Sequence, residues 1–284
     1  MKFSLTMLFA FVAMALSIMS CRNADEINDI ANLEIAGLQK IKEISNDSHI
    51  IELYSRTGKT MQGYNEISLR IKNKSTNLYE NNVAATWLPM MHMTSMAHSC
   101  PASVLQKSAA DAQTLSGYIV FQMPGSAAEF WDLTINYKIG EKSYAVTTPL
   151  NVEAETKKTV VTFIGSDNSK YVMANIAPTS PKVAVNDWTV GLWKASDMMT
   201  YSVVDNYSIH VDPRMPAMGN HSAPNNVAAK QSGSDGFYKG KLALTMSGFW
   251  KVNLRVAAAD GTILKGEEVT ENTPHSSIFF ELEF

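Results

Sequence analysis

The sequence predicts an all-β fold in which two similar β-sandwich domains follow one another along the chain. Three observations predict it: short runs of alternating apolar and polar residues, turn residues between those runs, and a pattern of Met, His, Gly and Trp that occurs twice. A chain of 284 residues with 45% apolar side chains can bury one large core or two of medium size. The repeated pattern favours two cores.

The chain begins with a segment that is typical of protein export. Lys2 precedes an apolar run, residues 3–18, which is too short to cross a bilayer comfortably. The following I-M-S-C ending resembles the lipobox of bacterial lipoproteins, in which the cysteine is acylated and becomes the first residue of the mature protein. We therefore expect a signal peptide over residues 1–20 and a lipid anchor on Cys21. An ordinary secretory signal or an uncleaved anchor is the alternative.

The residues after Cys21 indicate where the mature protein resides. Arg22, in place of Asp, fits sorting to the outer membrane, on either its periplasmic or its outer face. Cleavage removes Lys2, so 24 basic residues become 23 against 27 acidic residues, and the net charge is −4. This charge favours neither nucleic acid nor anionic lipid as a partner, so the lipid anchor is the expected membrane contact. Residues 21–45 are polar and charged, and we expect them to form a tether.

The first sandwich is expected over residues 46–152. Its apolar residues alternate with polar ones and the runs are bounded by Gly, Asn or Ser, which is typical of half-buried strands. The predicted strands are residues 50–54, 65–73, 81–88, 117–123, 129–138 and 142–152. This density of strands is typical of a β-sandwich.

Residues 153–159 read E-A-E-T-K-K-T and are expected to link the first sandwich to a second one over residues 160–284. The second segment repeats features of the first. Its L-A-L-T-M (242–246) matches I-V-F-Q-M (119–123), and its F-W-K-V-N-L matches F-W-D-L-T-I. Between these motifs the first copy has four extra residues, which a hairpin turn can absorb.

Two short segments combine methionine with histidine. Residues 90–101 read M-M-H-M-T-S-M-A-H-S-C-P, and residues 215–224 read M-P-A-M-G-N-H-S-A-P. Six of the twelve methionines after residue 20 lie in these segments. A core strand would use Val, Ile and Leu, so packing alone explains this composition poorly.

Thioethers and imidazoles together favour copper over magnesium, calcium or manganese, which prefer oxygen ligands. We therefore predict a soft-metal site at each segment. The alternative is that the methionines form a hydrophobic cap over the end of each sandwich, since Met fills irregular surfaces readily. Cys100 has only Cys21 as a possible partner, and lipidation would consume Cys21. Cys100 is either a small buried apolar residue or a metal ligand, and its position beside His98 favours the ligand.

The second segment and the strands after it resemble the YtkA-like or FixH-like family of exported, Ig-like β-domains. The resemblance rests on P-x-M-P-x-M-x-x-H-S followed by G-x-Y-x-G-x-L-x-x-x-M-S-G-x-W, which are Pro213, Met215, Pro216, Met218, His221, Ser222, Gly236, Tyr238, Gly240, Leu242, Met246, Ser247, Gly248 and Trp250. The first copy matches more loosely, through Met93, Met96, His98, Ser99, Pro101, Met123 and Trp131. The family is associated with copper handling, including supply to respiratory oxidases.

The resemblance implies a ligand set in each sandwich. Copper, as Cu(I), would be held by Met96, His98 and Met123 in the first and by Met218, His221 and Met246 in the second, with Met93, Cys100 and Met215 as further candidate ligands. Met90, Met91 and His92 offer extra ligands in the first. An envelope protein that donates or accepts copper would be the partner.

The sequence contains none of the H-E-x-x-H, C-x-x-C, G-x-S-x-G, Walker or dinucleotide motifs, so we predict a binding protein and not an enzyme. The alternative function is a structural or adhesion lipoprotein of the cell envelope whose Met/His loops bind a protein partner.

Overall fold

A computed structural model describes residues 33–284 of the chain. The predicted signal peptide, Cys21 and Arg22 lie outside this range. The described residues are almost entirely β-strand, which confirms the predicted all-β, Ig-like sandwich architecture. Within residues 33–284 no helix reaches the length and apolar character that crossing a bilayer requires.

The N-terminal sandwich comprises strands β1–β11. Their bounds are β1 (Gln39–Ser45), β2 (His49–Ser55), β3 (Thr60–Met61), β4 (Gly63–Asn73), β5 (Val83–His92), β6 (Ala97–His98), β7 (Gln106–Lys107), β8 (Thr114–Phe121), β9 (Phe130–Ile139), β10 (Lys142–Leu150) and β11 (Val152–Glu153). One sheet has the order β1-β2-β4-β8-β7 and the other β10-β9-β5-β6, while β11 pairs with β3 in parallel. The core lies between the two larger sheets, where Ile51 and Leu69 meet Trp131 and Leu133.

The C-terminal sandwich comprises β12–β22 and one turn of 3-10 helix, η1. Their bounds are β12 (Val160–Ile164), β13 (Lys170–Ala177), β14 (Ala184–Ala195), β15 (Tyr201–Val203), β16 (Ser208–Met215), η1 (Pro216–Met218), β17 (His221–Ser222), β18 (Val227–Gln231), β19 (Tyr238–Leu244), β20 (Phe249–Ala257), β21 (Ile263–Lys265) and β22 (Phe279–Glu283). The strand order is β12-β13-β14-β19-β18-β16-β20-β21, with β15, β17 and β22 paired to β14, β16 and β20. A single hydrogen-bonded sheet therefore surrounds this core.

The predicted tether is shorter in the structure than in the sequence analysis. Residues 39–45, assigned there to the tether, form strand β1 and pair with β2. Ile41 and Ile44 pack against the N-terminal core. The sequence did not predict β1 as a strand because Lys40, Lys42 and Glu43 interrupt its apolar residues. Such charged residues are typical of an edge strand exposed to solvent.

The two sandwiches share a buried asparagine at the start of a central strand. Asn65 donates to the carbonyl oxygens of Met61 and Gly63 and accepts from the Met61 N–H at 2.8 Å. Asn186 makes the same set of bonds to Lys182 and to the Ala184 carbonyl oxygen. The strand pairs β4–β8 and β14–β19 thus begin with the same local structure.

Strand β18 makes the two sandwiches different. It pairs with β19 on one side and with β16 on the other, so it joins the two faces of the C-terminal sandwich. Gly240 permits this close approach, because a Cβ atom there would lie 2.5 Å from the Val227 carbonyl oxygen. In the N-terminal sandwich β7 pairs only with β8, so the two sheets stay separate.

The predicted linker, residues 153–159, is bonded to both sandwiches. The Glu153 carbonyl oxygen accepts from the Gln62 N–H, and Lys158 exchanges main-chain and side-chain bonds with Glu281. The linker contains no strand that joins the sheets on its two sides, since β11 pairs with β3 and β12 with β13.

A small apolar cluster joins the two sandwiches. It comprises Val120, Val160, Val172, Ala174 and Trp193, with Tyr64, Tyr118, Tyr201 and Phe237 packed around them. The Trp193 indole N–H donates to the Tyr118 hydroxyl at 3.1 Å. Buried apolar contact therefore holds the two sandwiches together in addition to the linker.

Glu52 is the centre of a buried ionic cluster in the N-terminal sandwich. Its carboxylate accepts from Lys40 Nζ at 2.6 Å, Arg70 Nε at 2.5 Å and the hydroxyls of Tyr54 and Tyr79. Burial alone would raise the pKa of Glu52, but the hydrogen bonds from Lys40 and Arg70 outweigh it and lower the pKa to about 2.

We expect Glu52→Gln to destabilise the protein by about 3–5 kcal/mol at pH 7, because it removes the carboxylate that faces a buried guanidinium. In the unaltered protein this contribution is present above the ordinary pKa of 4.5 and is lost as the pH falls towards 2. Urea unfolding at several pH values measures both effects. Glu66→Gln, at an exposed position of β4, is the matched control. Equal stability of the two variants would contradict the prediction.

Candidate functional site

Each sandwich contains a fully buried tryptophan whose indole N–H donates to the main-chain carbonyl of a methionine. Trp131 donates to Met123 and Trp250 donates to Met246, both at 2.9 Å. Because a buried indole N–H needs an acceptor, this bond fixes where the preceding strand ends. The two methionines named by the sequence repeat therefore lie at equivalent places.

In the N-terminal sandwich, the Met/His segment forms the turn between β5 and β6. Met91 lies opposite His98 in this short ladder, and on its other side Met91 pairs with Trp131 of β9. The imidazole of His98 is buried and meets the Trp131 ring edge-on, with 5.7 Å between ring centroids. Met123 packs against the same core cluster. Trp131 is thus next to Met91 in the sheet, in ring contact with His98 and hydrogen-bonded to the Met123 main chain.

The C-terminal sandwich repeats the pairing of a methionine with a histidine. Met215 lies opposite His221 in the β16–β17 ladder, and Met215 is buried in the core that includes Trp250. The Met215 side chain also approaches Gly248, since a Cβ atom there would lie 3.2 Å from its terminal methyl carbon. Met246, two residues before Gly248, packs against this core. His221 is exposed, so this site opens towards solvent.

Two of the predicted ligands lie at the exposed tips of the loops. Met96 is 50% exposed, and Met218, at the end of η1, is 57% exposed. Met93 is half-buried and packs against the N-terminal core. The Met93 N–H donates to the Met96 carbonyl oxygen at 2.9 Å, which closes the turn. Met96 and Met218 are thus the thioethers that solvent reaches most easily.

The strand register makes Met91, an extra ligand in the sequence analysis, the methionine that faces the histidine. The sequence repeat aligns Met93 with Met215, but pairing with the histidine in each ladder aligns Met91 with Met215. The first turn is one residue longer than the second, because it has two more residues before the tip methionine, Met96 or Met218, and one fewer after it. The residue that faces the histidine is identified by the register of the β5–β6 ladder, and spacing in the sequence does not reveal that register.

Cys100 is a core residue in this structure. Its side chain is 3% exposed and belongs to the same buried cluster as Met91 and Trp131. Burial raises the pKa of the Cys100 thiol well above 9.0, despite a backbone hydrogen bond involving Val120. The thiolate that would bind a soft metal is therefore disfavoured near neutral pH.

His92 has partners outside the candidate site. Its Nε2 lies 2.7 Å from an Asp132 carboxylate oxygen, and its ring stacks on Phe130 with 4.9 Å between centroids. His49, which sequence alone suggested to be an ordinary strand or surface residue, is buried between Tyr137 and Tyr144. Neither histidine joins the methionines around Trp131.

The donor chemistry of the two clusters fits a soft metal ion. Within residues 33–284, no three His, Cys, Asp or Glu side chains come together in a way that could hold a metal. Each cluster instead combines thioether sulfurs with one imidazole, and thioethers favour Cu(I) over Zn(II). The residues present therefore suit Cu(I), and the thioethers need no deprotonation to bind it.

These features define an all-β sandwich protein with a Met/His cluster at one end of each sandwich. The family described as YtkA-like matches residues 166–255, which lie within the C-terminal sandwich and include Met215, His221, Met246 and Trp250. This match confirms the resemblance for that segment. That the N-terminal sandwich is a second copy of the same domain, and that the family is FixH-like, stay predictions.

No curated protein matches the chain. Among solved structures, the chain has a weak similarity to FdeC, described as a broadly conserved Escherichia coli adhesin eliciting protection against urinary tract infections. The two chains are 11% identical, with 80% of this chain and 79% of that chain covered, and the TM-score is 0.22. This similarity is too low to bear on function.

We expect a thiol reagent to label Cys100 slowly in the folded protein, because the side chain is buried and its pKa is raised. The measurement is the labelling rate of a Cys21→Ser protein at pH 7.5, with and without Cu(I), and again in denaturant. Equal slow rates in the two folded samples and a fast rate in denaturant are expected. Fast labelling without Cu(I) and protection by Cu(I) would identify Cys100 as a ligand instead.

Proposed function

We propose that this protein binds Cu(I) through its Met/His clusters and handles copper in the cell envelope. The observation that carries the proposal is a repeated pair of features: in each sandwich a methionine faces a histidine across a short ladder, and a second methionine accepts the indole N–H of a buried tryptophan. Two clusters with the same donors and the same supporting hydrogen bond are more than irregular packing would require. The YtkA-like match of residues 166–255 supports the proposal.

The proposed ligand set differs between the two sandwiches only in its surroundings. In the first sandwich the ion would be held by His98, Met123 and Met91, with Met93 and Met96 in the turn before His98. His221, Met246 and Met215 would hold it in the second, with Met218 above them. When bound, Cu(I) would be coordinated by sulfur and one imidazole nitrogen. The exposed methionine at each loop tip would then be available for receiving or releasing the ion.

The protein's own residues would hold the site in a defined orientation. The His98 Nδ1 lies 2.7 Å from the Ser99 carbonyl oxygen, and Ser99 Oγ donates to the Pro89 carbonyl oxygen at 2.8 Å. If Nδ1 carries the proton and donates, Nε2 is the nitrogen free to coordinate. Histidine ligands commonly depend on such a second hydrogen bond.

The proposed setting follows from the N-terminal sequence. Residues 1–20 would be removed, Cys21 would carry the lipid, and Arg22 would favour the outer membrane. The lipid anchor would be the membrane contact, and an envelope protein that donates or accepts copper would be the partner. The role is binding and transfer without catalysis.

The alternative is that the loops bind a protein partner and no metal. The exposure of Met96 and Met218 favours it, since flexible methionines suit adaptable binding surfaces. Dependence on copper separates the two functions.

We expect the mature chain, with Cys21→Ser, to bind at least one Cu(I) per molecule and to prefer it over Zn(II). Competition with a chromogenic Cu(I) chelator measures stoichiometry and affinity. The double variant His221→Ala with Met246→Leu should remove the C-terminal site, because it takes away the imidazole and one thioether. Replacing Met by Leu should cost less than about 1.5 kcal/mol, so the fold should remain.

The matched control is His210→Ala with Met173→Leu, which removes the same kinds of group from strands β16 and β13, at positions that are not candidate ligands. It should leave Cu(I) binding unchanged. If the protein binds no Cu(I), the copper proposal is wrong and the protein-partner alternative gains. If Cu(I) binds but the His221 and Met246 changes leave its stoichiometry and affinity unaltered, the C-terminal cluster is not the site.

A further inference from the structure

The hairpin over residues 196–200, between β14 and β15, crosses from the C-terminal sandwich to the N-terminal Met/His loop. The Met198 carbonyl oxygen accepts a hydrogen bond from the Ser99 N–H at 2.9 Å. Ser99 directly follows His98, the imidazole of the first cluster. A main-chain bond of this length brings the two backbones to within about 5–6 Å of each other, which a methionine side chain can span.

The same hairpin also reaches the strand end that bears the second donor of the first cluster. The hydroxyl of Tyr201, the first residue of β15, accepts from Gln122 Nε2 at 3.0 Å. Gln122 directly precedes Met123. The hairpin therefore contacts both segments from which the first cluster takes its histidine and its strand-end methionine.

The hairpin presents two methionines that its own fold does not require. Met198 is 45% exposed and Met199 is 41% exposed. The turn is shaped by the Asp197 carboxylate, which accepts from the N–H groups of Met199 and Thr200 at 2.7 Å each. Since these bonds use only main-chain atoms of residue 199, any side chain could stand there.

We propose that Met198 and Met199 supply thioethers to the N-terminal copper site, so that both sandwiches hold the same ion. The inference rests on the proposed function. Adding one or two thioethers to His98, Met123 and Met91 gives a sulfur-rich donor set, which selects Cu(I) more strongly than one imidazole with two thioethers.

The inference makes the two sites unequal for a structural reason. The turn between β4 and β5, residues 74–82, is the N-terminal counterpart of this hairpin and contains no methionine. The N-terminal cluster adjoins the other sandwich through the 196–200 hairpin, at the Ser99–Met198 bond. The N-terminal site should therefore fill with Cu(I) before the C-terminal site.

The test uses the mature chain with Cys21→Ser, His221→Ala and Met246→Leu, in which only the N-terminal site remains. We expect Met198→Leu with Met199→Leu to weaken Cu(I) binding by about tenfold or more, by competition with a chromogenic chelator. Leucine keeps the volume, and Ser99 still has its acceptor because that acceptor is a main-chain carbonyl. Changes in affinity therefore report the loss of sulfur.

The matched control in the same background is Met173→Leu, which removes a thioether that is not a candidate ligand and should change the affinity less than about twofold. Carbon-13 labelled methionine methyl groups give a second readout, since the signals of Met198 and Met199 should shift when Cu(I) is added. An affinity loss below about twofold in the Met198/Met199 variant overturns the inference and leaves the proposed function standing, because Cu(I) is still bound. Absence of any Cu(I) binding overturns both.

Discussion

The position of both clusters depends on one hydrogen bond, from a buried indole N–H to the carbonyl oxygen of a methionine. Trp131 and Trp250 are fully buried at the centre of their sandwiches, so each N–H must find an acceptor within the protein. The acceptor lies two residues beyond the end of the preceding strand, at Met123 after β8 and at Met246 after β19. Folding of the core thus places one thioether at the sandwich end before any ligand binds.

This dependence explains why the fold could be predicted more fully than the site. In F-W-D-L-T-I every second residue faces the core, so alternation alone identified strand β9. Strand β1 was assigned to the tether because charged side chains interrupt its alternation. Lys40 is accommodated there because Glu52 of the neighbouring strand accepts its ammonium group. Such a compensation between strands leaves no trace in local sequence.

The donors of the site were predicted by residue type, but their roles depended on strand register. His92 and His98 lie in the same Met/His segment, and its composition does not tell them apart. In the structure His92 contacts Asp132, whereas His98 faces the buried Trp131. The sequence analysis placed Met91 among the extra ligands because two turns of different length align Met93, and not Met91, with Met215. The Ser99 N–H donates to the carbonyl oxygen of Met198, which lies in the hairpin between β14 and β15 of the other sandwich. Spacing within the Met/His loop therefore could not indicate Met198.

Strand β18 has a consequence for how stiff each sandwich is. It hydrogen-bonds to both faces of the C-terminal sandwich, so those faces cannot separate without breaking a β-ladder. The N-terminal sheets are held face to face by side-chain packing, which tolerates small sliding movements more readily than a ladder does. We expect the main-chain amides of β5 and β6 to exchange hydrogen faster than those of β16 and β17. The N-terminal cluster, in the less rigid sandwich, would therefore adjust its geometry as an ion enters. The C-terminal cluster would present the same geometry before and after binding.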